Sequence, residues 1–292
     1  MDFGRLITAM VTPFGSDGRI DWETTGKLID YLIEEQASDS LVVCGTTGES
    51  PTLGDEEKIE LYRFAARRAA GRARVIAGTG SNNTAHSIHL TKEAEAAGVD
   101  GILLVAPYYN KPSQEGLYLH FRAIAESTKL PVMLYNVPGR TGVNLDASTT
   151  LRLAELPNVF ATKDCAPLEQ LTAIAAEAPE GFVVYSGDDS ATLPALAIGA
   201  HGIVSVASHI IGKEMKRMIQ AYTEGRAQEA AKLHQQLSPI FKGLFNCPHP
   251  VPNPVPVKAA LALKGLPVGG VRLPLAPATD AELAFIRKLL ES

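Results

Sequence analysis

The sequence predicts an α/β fold, a (β/α)8 TIM barrel with a C-terminal helical appendage, and three observations support this fold class. Short apolar runs rich in β-branched residues alternate with amphipathic segments, which implies a parallel sheet with helical crossovers. Eight such units occupy roughly 220 residues, which is the count and length of a closed barrel. No GxGxxG follows the first apolar run, so the competing open, doubly wound sheet is disfavoured.

The predicted strands are almost wholly apolar, as expected of strands that are covered on both faces. In chain order they are Leu6–Val11, Leu41–Cys44, Arg74–Ala77, Gly101–Val105, Val132–Tyr135, Val159–Lys163, Phe182–Ser186 and Gly202–Val206.

Amphipathic segments between these runs predict the helices of the barrel. We expect Asp55 and Ser113 to cap helix N-termini, and Gly71 and Gly98 to close helix C-termini. The clearest helical segments are Glu56–Ala70, Thr84–Ala97, Gln114–Ser127 and Leu168–Glu177.

The pattern changes near residue 225, so we predict a barrel over residues 1–224 and a C-terminal helical segment over residues 225–292. Arg226–Phe245 has a long helical pattern, and Val257–Lys264 and Thr279–Leu290 are helical again. Between them, five prolines at alternate positions from Pro248 to Pro256 exclude a regular helix. No flexible linker precedes this segment, which favours an appendage over an independent domain.

Composition and charge exclude several classes of function. The formal charge is −5 and no basic tract is present, so neither nucleic acid nor an anionic membrane surface is an expected partner. Cys44, Cys165 and Cys247 are scattered and odd in number, which favours a reducing compartment over a disulfide scaffold. No apolar run approaches the ~20 residues of a membrane span, and the N-terminus lacks a signal-peptide pattern. We therefore expect a cytoplasmic protein.

Polar residues follow the predicted strands at their C-terminal ends, where barrel enzymes place their catalytic groups. They are Gly45–Ser50 after the second strand, Pro107–Asn110 after the fourth, Tyr135–Gly142 at the fifth, Lys163–Asp164 at the sixth, Ser186–Asp189 at the seventh and Val204–Val206 at the eighth.

Lys163 is the sharpest candidate for a catalytic residue. Period-2 alternation predicts that it shares a face with Ala161 and Val159. If that face points into the barrel, burial favours the neutral amine, which can attack a carbonyl and form a Schiff base. The alternative is a lysine that has left the strand and extends to water. The presence of Tyr135, Thr46 and Thr47 at other strand ends favours the Schiff-base lysine over this alternative.

The neighbours of Lys163 can supply the other groups that this chemistry needs. Tyr135 ends the adjacent strand and can shuttle protons, or it can be anchored to a backbone carbonyl. Thr46 and Thr47 lie between glycines, where amides and hydroxyls can hold a carboxylate, or they can simply form a tight turn. Arg140 can bind a second carboxylate with its planar fork, although a solvated loop arginine is the alternative.

No metal and no cofactor is expected. His86 and His89 have helical i, i+3 spacing but no third ligand, so we expect a solvated helix face. Cys247-Pro-His249 lacks a CxxC partner and does not indicate zinc. Asp188–Asp189 could bind a hard cation, but we expect them to cap the next helix, with Gly187 letting a ligand approach the backbone. A metal-dependent class II aldolase is therefore disfavoured.

The motifs together resemble the dihydrodipicolinate synthase / N-acetylneuraminate lyase family, essentially from residue 1 to residue 290. They are Gly-Thr-Thr-Gly-Glu-Ser at 45–50, Tyr-Tyr-Asn at 108–110, Tyr-Asn-Val-Pro-Gly-Arg-Thr-Gly at 135–142, Lys163, and Asn-Pro-Val-Pro-Val-Lys at 253–258.

This resemblance implies a class I aldolase mechanism in a homotetramer. Lys163 would condense with pyruvate, and the resulting imine would become an enamine that attacks an aldehyde. Tyr135, Thr46 and Tyr109 would form the proton relay, with Tyr109 reaching in from a neighbouring subunit. Thr46 and Thr47 would also hold the pyruvate carboxylate.

The resemblance also implies roles for three further residues of the site. Gly187 and Val204 match positions that contribute backbone carbonyls, and Arg140 matches the residue that binds the carboxylate of L-aspartate 4-semialdehyde. Sialic-acid lyases have a different motif around Arg140, so a synthase of lysine/diaminopimelate biosynthesis is favoured.

Two departures from the family pattern leave a sibling enzyme open. Asp164-Cys165-Ala166-Pro167 stands where synthases more often read Glu-Ala-Ser/Thr-Gly, and Cys247-Pro248-His249-Pro250 is unusual. The alternative is a related class I pyruvate lyase, such as a 2-keto-3-deoxy-sugar-acid or 4-hydroxy-2-oxoglutarate aldolase. A barrel that has lost its catalytic activity and serves as a ligand sensor is disfavoured, because Lys163, Tyr135 and Thr46 are all present.

A further departure concerns regulation. Lysine-inhibited members carry histidine at the position of Lys58 and glutamate at that of His86. Ser50, Asn82 and Tyr108 match the effector site, but Lys58 and His86 do not. We therefore expect weak or absent inhibition by L-lysine.

Overall fold

The computed structural model describes residues 2–291 and shows a closed barrel of eight parallel strands paired in chain order. This confirms the predicted fold class. The strands are β1 Leu6–Ala9, β2 Ser40–Val43, β3 Arg74–Gly78, β4 Gly101–Val105, β5 Val132–Asn136, β6 Val159–Asp164, β7 Val183–Ser186 and β8 Gly202–Ser205.

Helices surround the barrel and form the C-terminal region, where α10 packs against α9 and α11 against α12. A π-helical turn, Tyr31–Glu35, continues α1, and 3-10 turns occupy Ser50–Thr52 and Asp189–Ala191. The helices are α1 Trp22–Asp30, α2 Asp55–Ala69, α3 Thr84–Ala97, α4 Gln114–Ala125, α5 Pro138–Thr141, α6 Ala147–Ala154, α7 Leu168–Glu177, α8 Thr192–Ala197, α9 Ser208–Thr223, α10 Ala227–Gly243, α11 Val255–Leu263 and α12 Asp280–Leu290.

The strands bury both faces, which explains their apolar composition. Alternate residues such as Leu41 and Val42 belong to different hydrophobic clusters. The larger cluster joins the outer strand faces to the helices. The smaller one fills the barrel interior with one or two residues from each strand, including Met133, Tyr135 and Tyr185.

The alternation breaks once, in β6, and this corrects one prediction. The register between β5 and β6 shifts so that Phe160 has no partner across the ladder. Val159 consequently packs in the outer cluster, whereas Ala161 lies in the interior. Phe160 stacks on Phe3, with ring centroids 4.7 Å apart. Lys163 therefore shares a face with Ala161, as predicted, but not with Val159.

Two further local predictions were wrong. The N-cap of α2 is Gly54 rather than Asp55, and its N–H donates to the Glu57 carboxylate at 3.0 Å. Pro256 does not interrupt a helix but lies in the first turn of α11, where a missing N–H costs little. The predicted cap at Ser113 is confirmed, since its hydroxyl accepts from Gly116 N at 3.2 Å.

The proposed division at residues 224 and 225 falls between α9 and α10 and stays a prediction. Across residues 2–291, none of the helices combines the length and the apolar character needed to cross a bilayer.

Candidate active site

The C-terminal ends of β2, β5, β6 and β7 border a cavity of about 340 Å³. A second cavity of about 480 Å³ adjoins it, and Val137 contributes to both. The smaller cavity brings together six of the predicted site residues: Thr46, Thr47, Tyr135, Arg140, Lys163 and Gly187.

Lys163 is buried at the end of β6, between Tyr135 of β5 and Tyr185 of β7. Its side chain is 6% exposed, and its Nζ lies 4.1 Å from the centroid of the Tyr135 ring. Within residues 2–291 no carboxylate forms an ion pair with this amine. This amine lines the cavity, where it can reach the carbonyl carbon of a bound molecule.

Asp164 follows Lys163 but turns its carboxylate away from the cavity. Oδ1 accepts from Ala166 N at 2.7 Å and from Asn136 Nδ2 at 3.0 Å, and Oδ2 accepts from Gln170 Nε2 at 2.8 Å. Burial raises the pKa of Asp164, and these hydrogen bonds oppose that rise. The carboxyl group thus fixes the loop after Lys163 and leaves the amine unpaired.

The absence of a side chain at Gly187 leaves space for the side chain of Lys163. A Cβ at this position would lie 2.9 Å from Lys163 Cε and 2.3 Å from Cys165 Sγ. Any side chain here would displace both. Burial raises the pKa of the Cys165 thiol to about 11, with the Lys163 charge opposing, so this cysteine is a poor nucleophile.

The turn after β2, which carries Thr46 and Thr47, is held by contacts with other parts of the chain. Thr12 Oγ1 donates to Gly48 O at 2.7 Å, and Thr47, only 3% exposed, accepts from Asn253 Nδ2 at 3.0 Å. Glu49, in the left-handed region at φ 56°, forms a fully buried ion pair with Lys258 at 2.7 Å. The C-terminal region therefore fastens the turn that carries Thr46 and Thr47.

Arg140 lies on the short helix α5, which begins with Pro138 directly after β5. Its side chain is exposed at the mouth and lines both cavities. Thr141, beside it, is buried and donates to Val143 O at 2.8 Å. An exposed cation on an anchored turn can bind an anionic group as it enters the cavity.

Two predicted site residues do not line either cavity of the single chain. Val204 is buried in the interior cluster, which also contains Tyr135 and Tyr185. Tyr109 is 89% exposed and has a left-handed backbone, with φ 73°. Such a conformation is strained for a non-glycine residue.

The second cavity corrects the prediction for His86. Rather than facing solvent, its Nε2 lies 3.0 Å from both carboxylate oxygens of Asp55. Lys58, which lines the same cavity, is buried at 8% exposure and forms no ion pair within the described residues 2–291. His89 is exposed, as predicted.

Comparison with known proteins places this site in a family. The model of the dihydrodipicolinate synthetase family matches residues 2–292. The chain belongs to the dihydrodipicolinate synthetase family. It is therefore an enzyme, a lyase of the class I aldolase type.

Relatives agree with this family over nearly their full length. The 4-hydroxy-tetrahydrodipicolinate synthase of Bacillus velezensis is 59% identical over 283 residues, which cover 97% of this chain and 96% of the relative. The crystal structure of a Bacillus anthracis dihydrodipicolinate synthase is 54% identical, with a TM-score of 0.97, and covers 100% of this chain and 99% of that one.

A more distant member of the family was crystallised with a ligand. The dihydrodipicolinate synthase from Acinetobacter baumannii, chloride-inhibited and in complex with pyruvate, is 41% identical with a TM-score of 0.95, and covers 99% of this chain and 98% of that one. Together, the relatives support the synthase over the sibling pyruvate lyase.

Sequence reasoning missed several residues that line the smaller cavity. Cys165 was noted only as a departure from the family pattern, and Asn253 only as part of a motif. Phe241 and Phe245 come from the C-terminal region, which the sequence did not associate with the cavity. For Asn253 the signal was the Asn-Pro-Val-Pro-Val-Lys motif, whose alternating prolines distinguish it from an ordinary surface loop.

Proposed function

We propose that the chain catalyses the 4-hydroxy-tetrahydrodipicolinate synthase reaction, the condensation of pyruvate with L-aspartate 4-semialdehyde. The carrying observation is the buried amine of Lys163, which forms no ion pair among residues 2–291, in a cavity that also presents two threonines, a tyrosine and an arginine. The identity of 59% to a named synthase supports the same assignment. The product belongs to lysine and diaminopimelate biosynthesis, and a cytoplasmic location accords with it.

In the proposed mechanism Lys163 carries the pyruvate through the reaction. Its neutral amine adds to C2 of pyruvate, and loss of water from the carbinolamine gives an imine. Loss of a proton from the methyl carbon gives an enamine, whose carbon attacks the aldehyde carbon of the semialdehyde. The amino group of the adduct then attacks the imine carbon, closes the ring and releases Lys163.

The other residues take the roles that this chemistry requires. Tyr135, with its ring beside Nζ, transfers protons together with Thr46 and with Tyr109 of a neighbouring subunit. The hydroxyls and amides of Thr46 and Thr47 hold the pyruvate carboxylate.

Binding of the semialdehyde completes the assignment. The exposed guanidinium of Arg140 binds the semialdehyde carboxylate. The net charge of −5 does not attract a carboxylate, so this local cation supplies the attraction. Gly187 and Val204 contribute backbone carbonyls to the site.

Borohydride reduction in the presence of pyruvate tests the covalent step. We expect wild-type protein to gain the mass of one reduced pyruvate on Lys163, and Lys163→Ala to gain none. Lack of an adduct on the wild-type protein would exclude the proposed mechanism.

A panel of aldehydes tests the substrate. Pyruvate consumption is measured with aspartate semialdehyde, N-acetylmannosamine, glyoxylate and glyceraldehyde, and we expect turnover with the first alone. Arg140→Ala should raise KM for the semialdehyde about tenfold or more, because a charge-assisted hydrogen bond is lost, while KM for pyruvate changes little. Turnover with another aldehyde alone would indicate the sibling lyase.

A further inference from the structure

Asn253 is a buried amide of the C-terminal region that reaches the cavity of Lys163. It precedes α11 and is 7% exposed. Its Nδ2 donates to Thr47 Oγ1 at 3.0 Å, whereas its Oδ1 is buried without a hydrogen-bond partner. A half-satisfied amide in a core is costly, so its presence requires an explanation.

The hydrogen bond determines what the Thr47 hydroxyl can do. A hydroxyl has one proton to donate and two lone pairs that accept. Because Asn253 supplies a proton to Oγ1, the threonine's own proton is directed elsewhere. Within residues 2–291 no other group accepts it, and the cavity that Thr47 lines holds the amine of Lys163.

The position of Asn253 is fixed by the same region. Five residues later, Lys258 is ion-paired with Glu49, two residues beyond Thr47, and both side chains are no more than 2% exposed. Arg272 N also donates to Glu49 Oε2 at 2.9 Å. The amide and the hydroxyl therefore belong to one rigid unit that joins the turn after β2 to the start of α11.

We propose that Asn253 is a positioning residue, which orients the Thr47 hydroxyl as a donor to the carboxylate of the bound 2-oxo acid. The inference rests on the proposed function, since it requires a carboxylate in the cavity. A carboxylate only accepts hydrogen bonds, so a hydroxyl held as a donor binds it, and one that is turned away does not.

Asn253→Asp tests the direction of this hydrogen bond with little change in shape. A carboxylate at position 253 cannot donate to Oγ1. The Thr47 hydroxyl would then donate its proton to this carboxylate and could no longer donate it to the substrate. We expect KM for pyruvate to rise about tenfold, the effect of losing one hydrogen bond to a charged group. The kcat at saturating pyruvate should change by less than about threefold, because Thr47 is not proposed to transfer protons.

A double-mutant cycle separates orientation from added charge. In a Thr47→Val background no hydroxyl remains to be turned, so Asn253→Asp should raise KM by no more than about threefold, through charge alone. Asn246→Asp, at an exposed position that lines the same cavity, measures the effect of a carboxylate without contact to Thr47. Melting temperatures show whether each variant is folded.

The outcomes separate this inference from the proposed function. If the wild-type protein forms no borohydride-trapped adduct with pyruvate, the proposed function fails. If the adduct forms but Asn253→Asp raises KM equally with threonine or valine at position 47, the positioning role is refuted. An unchanged KM in Asn253→Asp would show that Thr47 is the donor in this contact, which also overturns the proposal.

Discussion

Asp189 is a carboxyl group in the 3-10 turn after β7 that has no contact with solvent to stabilise its charge. It is 2% exposed, and its Oδ2 accepts from Val206 N at 3.1 Å and Ala207 N at 2.8 Å. Burial raises its pKa to about 6, and the hydrogen bonds oppose this rise. The sequence predicted a helix cap for both aspartates, but only Asp188 caps, accepting from Ser190 N at 2.9 Å. Asp189 instead joins the turn to the end of β8.

The raised pKa of Asp189 predicts a loss of stability as pH rises. The native carboxyl binds its proton more tightly than the unfolded one, so the native state holds more protons between about pH 4 and 6. The free energy of unfolding then falls as pH increases through this window. Asp189→Asn keeps an accepting oxygen but cannot ionise. Between about pH 4.5 and 7 the wild type should lose about 2 kcal/mol relative to this variant in urea unfolding. Equal losses in both proteins would contradict the prediction.

At the scale of elements, a buried ion pair joins the turn after β2 to α11. Lys258 Nζ lies 2.7 Å from Glu49 Oε1 and also donates to Gly270 O at 2.7 Å. Burial lowers the pKa of Lys258, and the Glu49 charge opposes the shift. The ion pair links the C-terminal region to the turn that carries Thr46 and Thr47. Its loss should therefore loosen both the C-terminal region and this turn.

Removal of one partner should cost more than removal of both. Lys258→Met leaves the Glu49 carboxylate buried without its counter-charge, so we expect a loss of about 3–5 kcal/mol in unfolding free energy. Lys258→Met combined with Glu49→Gln leaves no buried charge and should recover part of that loss. Denaturant unfolding of the single variants and the pair measures the coupling. A double variant as unstable as the sum of the two singles would show that the ion pair is not energetically coupled.

The elements also show what the sequence could predict. Strand and helix positions followed from apolar runs and periodicity, because both faces of each strand are buried. The bulge at Phe160 could not be predicted, because the Phe160 ring stacks on Phe3, which is distant in sequence, and no local pattern marks the shift in register. The sequence did predict that the residues at the strand ends lie at one mouth of the barrel. It did not predict the contact of Asn253 with Thr47, which spans 206 residues and follows only from the packing of the C-terminal region.

At the scale of the whole molecule, the charges that line the second cavity predict how the enzyme responds to L-lysine. Lys58 lines this cavity and would repel the ammonium groups of the ligand, and the Asp55 carboxylate is already paired with His86. We expect less than half-inhibition at about 1 mM L-lysine, since charge repulsion opposes binding. Lys58→His with His86→Glu should increase inhibition, with each single variant as control. Half-inhibition of the wild type below about 1 mM would refute this prediction.

The proposed role of Tyr109 depends on how the chains assemble, because its side chain would act in the site of a neighbouring subunit. Its ring is 89% exposed on a strained backbone and lies outside the cavity of its own chain. Exposure of a large aromatic ring costs hydration free energy that a neighbouring subunit would recover. This exposure favours at least a dimer, and the family resemblance suggests a homotetramer of four 31.1 kDa chains, which sedimentation experiments test. Tyr109→Ala should lower kcat about a hundredfold, the typical effect of losing a proton-transfer group.

Mixed oligomers can show which subunit supplies the tyrosine. Tyr109→Ala and Lys163→Ala chains are each nearly inactive alone, but a hybrid contains sites with an intact lysine and a tyrosine from the partner. If Tyr109 acts across the interface, co-expression should restore activity at about a quarter of all sites, the fraction expected for random pairing. If it acts within its own chain, no hybrid site is complete and activity stays at the level of the single variants. Leu273→Ala, at a position that is 84% exposed, is the control for loss of an exposed apolar side chain and should keep full activity.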